Sequence, residues 1–377
     1  MTVKVIGLMS GTSADGVDAA AVEVGDERPR PSVRLIAHAH REYPAPLRAA
    51  ILAAGEGESL TAADVARLRV RIGEEHADAA LACANLAQLA LEDVDAVATH
   101  GQTVAHLPDE RPRATLQLID AARIAEALRV PVVTDFRSAD IAAGGEGAPL
   151  VPFGDWVVFT EGKRSRAILN IGGIANVTVL PANASRDDVL AFDTGPGNMV
   201  IDAVTARVTE RRRAYDADGQ LAARGSVDVS LLERALAHEY FARTPPKSTG
   251  RETFGASFAD DIVESGRGLE VEDLVATATA LAARSIADSL RRFVATALDE
   301  VVVAGGGARN PTLLRMLAEA LDGVPLRNSD ELGVPAEARE ALAFAILGAF
   351  AMRGEPNTLP RCTGARRAVV GGAVYRP

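Results

Sequence analysis

Apolar residues in this chain fall into short blocks that end on glycine and hydroxyl residues, separated by long stretches in which Ala and Leu recur at helical spacing. Val3 to Met9 reads as a buried strand, "SGTSADG" as a turn, and "VDAAAVEV" as a strand returning beside the first, a hairpin with a polar tip. Residues 61 to 92 have helical spacing, "DAVATH" is a strand ending on a histidine, 115 to 129 reads as another helix, and "VPVVTDF" as another strand. "RAILNIGGIANVTVL" holds two strands broken by Gly172 and Gly173, and "DVLAFDTGPGN" repeats the pattern of a strand running into glycines. Residues 272 to 298 carry the period of a long amphipathic helix. "EVVVAGGGARNPTLLRMLAEAL" reads as strand, glycine turn and helix, capped near Asn310 with Pro311 in its first turn, and Glu337 to Phe350 is again helical.

This order predicts an α/β protein, and the recurring strand-and-turn device predicts two related halves. A chain of 377 residues exceeds one ordinary core. No Pro/Gly/Ser linker separates the halves, so the boundary is expected near residues 155 to 166. That gives an N-terminal lobe over 1–160, a C-terminal lobe over 161–350, and a segment over 351–377 packed back on the first.

Composition narrows the function. With 48% hydrophobic but only 4% aromatic residues, helices on Val-rich sheets are favoured over a β-sandwich. A formal charge of -11 and a basic run limited to Arg211-Arg212-Arg213 argue against a nucleic-acid partner. Cys83 and Cys362 have neither zinc-ligand nor disulfide spacing, which fits a reducing cytoplasm. The start lacks a signal-peptide core, and no uncharged stretch reaches the roughly 20 residues of a membrane span, so a soluble protein is expected.

Three loops could carry chemistry. "GLMSGTSADGVD" offers amides freed by glycine, the hydroxyls of Ser10, Thr12 and Ser13 and the carboxylate of Asp15, able to cradle phosphoryl oxygens or simply to make a hairpin turn. "VVVAGGGARNP" lets backbone approach a ligand, although it is neither a Walker A loop nor a GxGxxG fingerprint. In "FDTGPGNMVID", Asp193 at a strand end is a candidate general base or magnesium anchor; the bland reading is a turn cap, with Asp202 facing solvent on the next helix. His100 and His106 lack metal-site spacing. Arg137 could fork onto a ligand, or pair internally with Asp135, Asp140 or Glu146. Lys247 and Arg251 in "PPKSTGRETFG" suit a lid or lobe contact, or a solvated loop.

Together these loops resemble the acetate/sugar kinase, chaperone and actin superfamily, whose actin-like, ribonuclease H-like lobes hold a nucleotide between them. More narrowly, "GLMSGTSADGVD", "THGQT", "DFRSADIAAGGEGAPLVP", "NIGGIANVT", "FDTGPGN", "PKSTGRE", "GGGARNP", "EALAFA" and "TGARRAVVGG" resemble, in order and over the whole chain, the anhydro-N-acetylmuramic acid kinases. The resemblance implies ATP-dependent opening of a 1,6-anhydrosugar with phosphorylation at O6, Asp193 deprotonating the attacking water on the face opposite the leaving oxygen. It further implies ATP and Mg2+ as cofactors and a homodimer. Ser10, Gly11, Thr12, Ser13, Asp15, Gly16, Gly195, Gly197, Asn198, Gly305, Gly306, Gly307 and Asn310 would attend the nucleotide. Thr99, His100, Gln102, Arg137 and Glu340 would attend the sugar, with Asp193 and Glu340 available to magnesium.

The chain departs from that family's pattern at Ala14, at Glu146 where Gln is usual, in "FGDW" and in "LQLID". Glu146 adds a negative charge beside an expected acidic sugar and motivates an alternative, a kinase of a sugar such as levoglucosan that lacks the lactyl and acetamido groups. A second alternative is a non-catalytic nucleotide-binding switch.

Overall fold

The computed structural model describes residues 2–55 and 57–377. Its contacts divide the chain into two units, one running to Val158 and resuming at Ala338–Pro377, the other spanning Phe159–Glu337. The first unit contains Val3–Met9 (β1), Gly16–Val24 (β2), Val33–Glu42 (β3), Ala96–Thr99 (β4), the hairpin Gln102–Leu107 (β5) with Ala114–Leu118 (β6), and Val132–Thr134 (β7). The second contains Arg166–Ile171 (β8), Ile174–Leu180 (β9), Leu190–Pro196 (β10), Glu300–Ala304 (β11) and Leu326–Asn328 (β12); Ala373–Tyr375 (β13) then returns to the first unit.

The sheets repeat one topology. In the first unit the order is β13-β7-β4-β1-β2-β3, and in the second β10-β9-β8-β11-β12. In each, an antiparallel three-strand meander is followed by two parallel strands added at the opposite edge: β4 joins β1 as β11 joins β8, and β7 joins β4 as β12 joins β11. This is the ribonuclease H-like arrangement twice over, as the duplicated strand-and-turn devices predict. The parallel strands read as unbroken Val and Ala runs because both of their faces are covered.

Helix Ala62–Leu86 covers one face of the first sheet, started by a reciprocal Thr61–Asp64 capping box. Helix Arg339–Met352 packs on the same sheet and is buried from Ala341 to Ala351, so it has no polar face to turn to water. It can approach because Gly7 lacks a side chain: a Cβ there would stand 1.9 Å from the Ala341 carbonyl oxygen. This all-round apolar helix therefore belongs to the first unit, and the boundary expected at residue 350 moves to 337/338. In the second unit, helix Val271–Phe293 buries Leu274, Leu281, Ile286 and Leu290 in the core.

One element differs in kind from the sequence reading. Residues 115 to 118 are not helical but complete β6, whose alternating side chains pair with β5, and the helix is only Ala121–Leu128, capped by Asp120. The spacing misled because "TLQL" satisfies a two-residue period as well as it does one face of a helix.

Candidate active site

Asp193 sits on β10 where the ladder with β9 is interrupted, since Asp193 pairs with Asn176 but Ala175 faces Gly195. The extra residue, Thr194, makes a bulge that re-aims the strand end. Three groups fix the backbone and one carboxylate oxygen of Asp193. Its amide donates to the Lys247 carbonyl at 3.0 Å, the Tyr240 hydroxyl donates to its carbonyl at 2.8 Å, and the Thr249 amide donates to Oδ2 at 2.9 Å. Oδ1 has no hydrogen-bond partner among the described residues, and the residue is part-exposed. Burial pushes the carboxyl up to about 7, against the downward pull of the Thr249 amide and the Lys247 ammonium, with Glu252 adding a smaller upward push. A carboxylate that titrates near neutrality with one oxygen free suits a general base better than a turn cap.

Downstream, the β8–β9 turn, the start of helix Asn198–Val208 and the loop after β11 meet. The amides of Gly197 and Asn198 donate to the carbonyls of Gly173 and Gly172, both at 2.8 Å, and that of Met199 donates to Gly173 at 3.1 Å. These amides are committed to the hairpin tip, and the Asn198 side chain reaches the Ile171 carbonyl through Nδ2 at 3.5 Å. Gly195 serves packing instead, since a Cβ there would stand 2.7 Å from Phe241. Gly305 takes φ +81°, and its Cβ would lie 2.5 Å from Asn170 Oδ1, whereas a Cβ on exposed Gly306 would meet only Asn198 Nδ2 at 3.8 Å. Gly307 packs on Ile171, and Asn310 caps helix Pro311–Ala320 through Oδ1 to the Leu313 amide at 3.0 Å. Asp202, which the bland turn-cap reading placed in solvent, is part-buried, and burial with Asp216 nearby pushes it up to about 6. Gly305→Ala is expected to lower stability by about 1–3 kcal/mol. Gly306→Ala should melt like the parent but bind ATP more weakly, as thermal melts with and without nucleotide would read; unchanged affinity would remove Gly306 from the nucleotide's path.

In the first unit the polar hairpin tip is partly built inward. Buried Ser10 donates to Gln102 Oε1 at 2.6 Å, and Gln102 Nε2 donates to the Gly11 carbonyl at 3.1 Å. Thr12 and Ser13 are exposed, Gly16 lies against the Arg41 carbonyl at the start of β2, and Asp15 forms an exposed ion pair with Arg48 at 2.9 Å. Thr99 also turns inward, its Oγ1 taking the Gly101 amide at 3.2 Å and pairing with His76 Nδ1 at 2.9 Å. His76 in turn pairs with the Tyr43 hydroxyl at 3.0 Å, and burial holds this imidazole down to about 3, hence neutral.

His100 is buried and neutral as well, held well below its ordinary value by burial and the Arg137 charge. Its Nδ1 lies 2.9 Å from the Gly101 carbonyl, which fixes that nitrogen as the donor and leaves Nε2 to accept from Arg137 Nε at 2.9 Å. Arg137 also donates through Nη1 to the Gly147 carbonyl at 2.7 Å, and makes no ion pair with Asp135, Asp140 or Glu146. Its Nη2 has no partner among the described residues. Glu340, also part-exposed, has neither hydrogen bond nor ion pair there, and burial raises it against the pull of Arg339 and Arg137. Of the five residues expected at the sugar, Arg137 and Glu340 have polar atoms to offer. Thr99, His100 and Gln102 spend theirs bracing the loops behind.

The family described as anhydro-N-acetylmuramic acid kinase matches residues 3–377. The chain belongs to the anhydro-N-acetylmuramic acid kinase family. The anhydro-N-acetylmuramic acid kinase of Salinibacter ruber is 46% identical over 99% of this chain and 96% of its own. That of Caldanaerobacter subterraneus subsp. tengcongensis is 41% identical over 98% and 96%, and that of Streptomyces coelicolor 43% identical over 98% and 93%. Among solved structures, component A of the (R)-2-hydroxyglutaryl-CoA dehydratase of Acidaminococcus fermentans aligns with a TM-score of 0.48 at 14% identity, covering 91% of this chain and 96% of that one.

Within this family member, the departure at Glu146 is answered locally. Burial raises the carboxyl, and the cation that opposes the shift is Arg113, which also donates to the Gly145 carbonyl at 3.1 Å. Arg137 is left free of that task. Two other features escaped the sequence reading. Asp155 of "FGDW" pairs with Arg339 through Nε at 2.8 Å and Nη2 at 2.5 Å, both residues buried, immediately before Glu340. Lys247 is buried, although its motif suggested a solvated loop or lid. A lysine flanked by Pro245-Pro246 and Ser248-Thr249-Gly250 gives no local sign of burial.

Proposed function

We propose that this protein phosphorylates 1,6-anhydro-N-acetylmuramic acid at O6 with hydrolytic opening of the anhydro ring, consuming ATP and water and releasing N-acetylmuramic acid 6-phosphate and ADP. The observation that carries the reading is Asp193, a carboxylate held by one backbone donor on one oxygen, free on the other, and pushed up to about 7. Oδ1 takes a proton from water as the water oxygen attacks C1. The C1–O6 bond breaks, O6 bonds to the γ-phosphorus, and the bond from that phosphorus to ADP breaks. The proton on Asp193 then leaves to solvent. Positioning and charge neutralisation dominate the phosphoryl half of such a reaction, which fits loops rich in glycine and poor in nucleophiles.

Arg137 is assigned to the sugar's lactyl carboxylate through Nη2, and His100 holds that guanidinium in place without competing for charge. In the second unit, Asn198 and Gly306 are assigned to the phosphates; in the first, Thr12 and Ser13.

Magnesium, when bound, neutralises developing charge on the phosphates. Among the described residues no group of three or more His, Cys, Asp and Glu is placed to hold a metal ion. Such an ion would therefore take most of its ligands from phosphate and water, with one carboxylate from the protein. Glu340, with both oxygens unpartnered, fits that task. Asp193, with Oδ2 already taken by the Thr249 amide and Oδ1 assigned to the attacking water, does not.

The levoglucosan reading rested on Glu146, whose charge Arg113 offsets in part. Presenting each sugar with ATP and magnesium, and following ADP release, tests the assignment. Turnover with anhydromuramic acid and little with levoglucosan is expected. Turnover only on the sugar without a lactyl group would overturn it, and ATP binding with no sugar-dependent ADP release would point to a switch.

A further inference from the structure

The loop that carries Lys247 bonds Asp193 at two places: the Lys247 carbonyl accepts the Asp193 amide at 3.0 Å, and the Thr249 amide donates to Oδ2 at 2.9 Å. Base and lysine are thus registered to one another by backbone. Yet Lys247 Nζ reaches no hydrogen-bond acceptor among the described residues, although the residue is only 9% exposed. It lies in a box of aromatic rings, 4.6 Å from the centroid of Tyr240, 4.8 Å from that of Phe293 and 6.0 Å from that of Phe192. Phe192 directly precedes Asp193, and Tyr240 donates its hydroxyl to the Asp193 carbonyl, so two walls of the box are tied to the base.

A buried ammonium with no anion in contact costs folding energy, and the negative ring faces return only part of it. Packing alone would place Leu or Met in such a box. Lys247 and Asp193 also form no ion pair at bonding distance. A contact pair would occupy a carboxylate oxygen and drag the carboxyl far down, leaving a poor base. A cation held off in an aromatic box instead acts through space, and Oδ1 stays open to water.

We propose that Lys247 is a positioning residue for the reaction, an aromatic-boxed cation whose field keeps Asp193 ionised enough to act as base while its loop orients the carboxylate. The proposal rests on the assignment of Asp193 as base. The groups acting on the pair come from every neighbouring element: Glu252 from helix Arg251–Phe254 opposes ionisation of Asp193, Tyr240 and Arg243 come from the turn at Glu239–Ala242 and just after it, and Arg292 comes from helix Val271–Phe293. Burial, Arg292 and Arg243 lower Lys247 to about 8 against the opposing pull of Asp193, which leaves it cationic at neutral pH.

The test is the pH dependence of kcat/KM with anhydromuramic acid, ATP and magnesium for the parent, Lys247→Met, Lys247→Gln and Lys247→Arg, with thermal melts alongside and Asp193→Asn as reference. Loss of the charge should move the acid limb up by about one pH unit in both neutral variants, roughly a tenfold loss on that limb. Melting temperatures should equal or exceed the parent's, and Lys247→Arg should restore the limb toward its original place. An acid limb unmoved in the neutral variants while Asp193→Asn is inactive would overturn the role of Lys247 alone. Neutral variants that fail to fold would overturn it too, because the lysine would then be serving the fold. Retained turnover in Asp193→Asn would instead remove the base assignment beneath it.

Discussion

Asp193→Asn is expected to lower kcat by about 10²- to 10⁴-fold while ATP affinity stays near that of the parent, because the amide can still accept from Thr249 but cannot take the proton of a water. The same substitution should be stabilising, with a defined pH dependence. The folded chain holds the Asp193 proton up to about pH 7, whereas the unfolded chain releases it near the ordinary 3.8. Between those limits the folded state binds more protons than the unfolded one, so the residue's contribution to stability falls as pH rises and reaches its full cost above 7. Removing the charge should therefore raise stability by on the order of 2 to 4 kcal/mol at pH 8, a gain that disappears as the pH falls toward 4. Steady-state kinetics and melts at the two pH values check both halves. A variant that is slow and also unstable at pH 8 would mean that Asp193 is a structural acceptor.

The second large effect is expected at Asp155. It and Arg339 are 1% and 3% exposed and share two parallel hydrogen bonds, so Asp155→Ala leaves a guanidinium buried without its partner. Breaking one side of a buried pair costs about 3–5 kcal/mol, a loss of roughly 5 °C in melting temperature for a chain of this size. Replacing both residues with apolar ones, Asp155→Leu with Arg339→Met, should recover much of that loss, since no charge is then stranded. Because Asp155 pushes the Glu340 carboxyl up and Arg339 pulls it down, the single variant should also leave Glu340 more readily ionised. A double variant no more stable than Asp155→Ala would show that the pair is held for its geometry rather than for its charge balance.

The sequence revealed most where one local signal sufficed. The hairpin Val3–Met9 with Gly16–Val24, the glycine break at Gly172–Gly173 and the Asn310–Pro311 helix start are all carried by neighbouring residues. The duplicated topology follows from them because each glycine loop closes a strand. What stayed hidden depends on distant partners. His76 is one polar residue in an Ala-rich helix, and its pairing with Tyr43 and Thr99 spans 33 and 23 residues. Asp155 and Arg339 are 184 apart. A clearer signal existed for helix Arg339–Met352: eleven buried positions running from Ala341 to Ala351 include no charge, so this helix could not lie on a solvated flank. The inward turn of Thr99, His100 and Gln102 was hidden for a different reason, since a motif names the residues near a ligand without saying which side chains touch it.

The reaction run in ¹⁸O-enriched water, quenched before anomeric exchange, tests the central claim most directly. A water activated by Asp193 and attacking carbon should leave one ¹⁸O at C1 of the product, with O6 and every phosphoryl oxygen unlabelled. Label on the phosphoryl group, or a product whose C1 oxygen does not come from solvent, would contradict it.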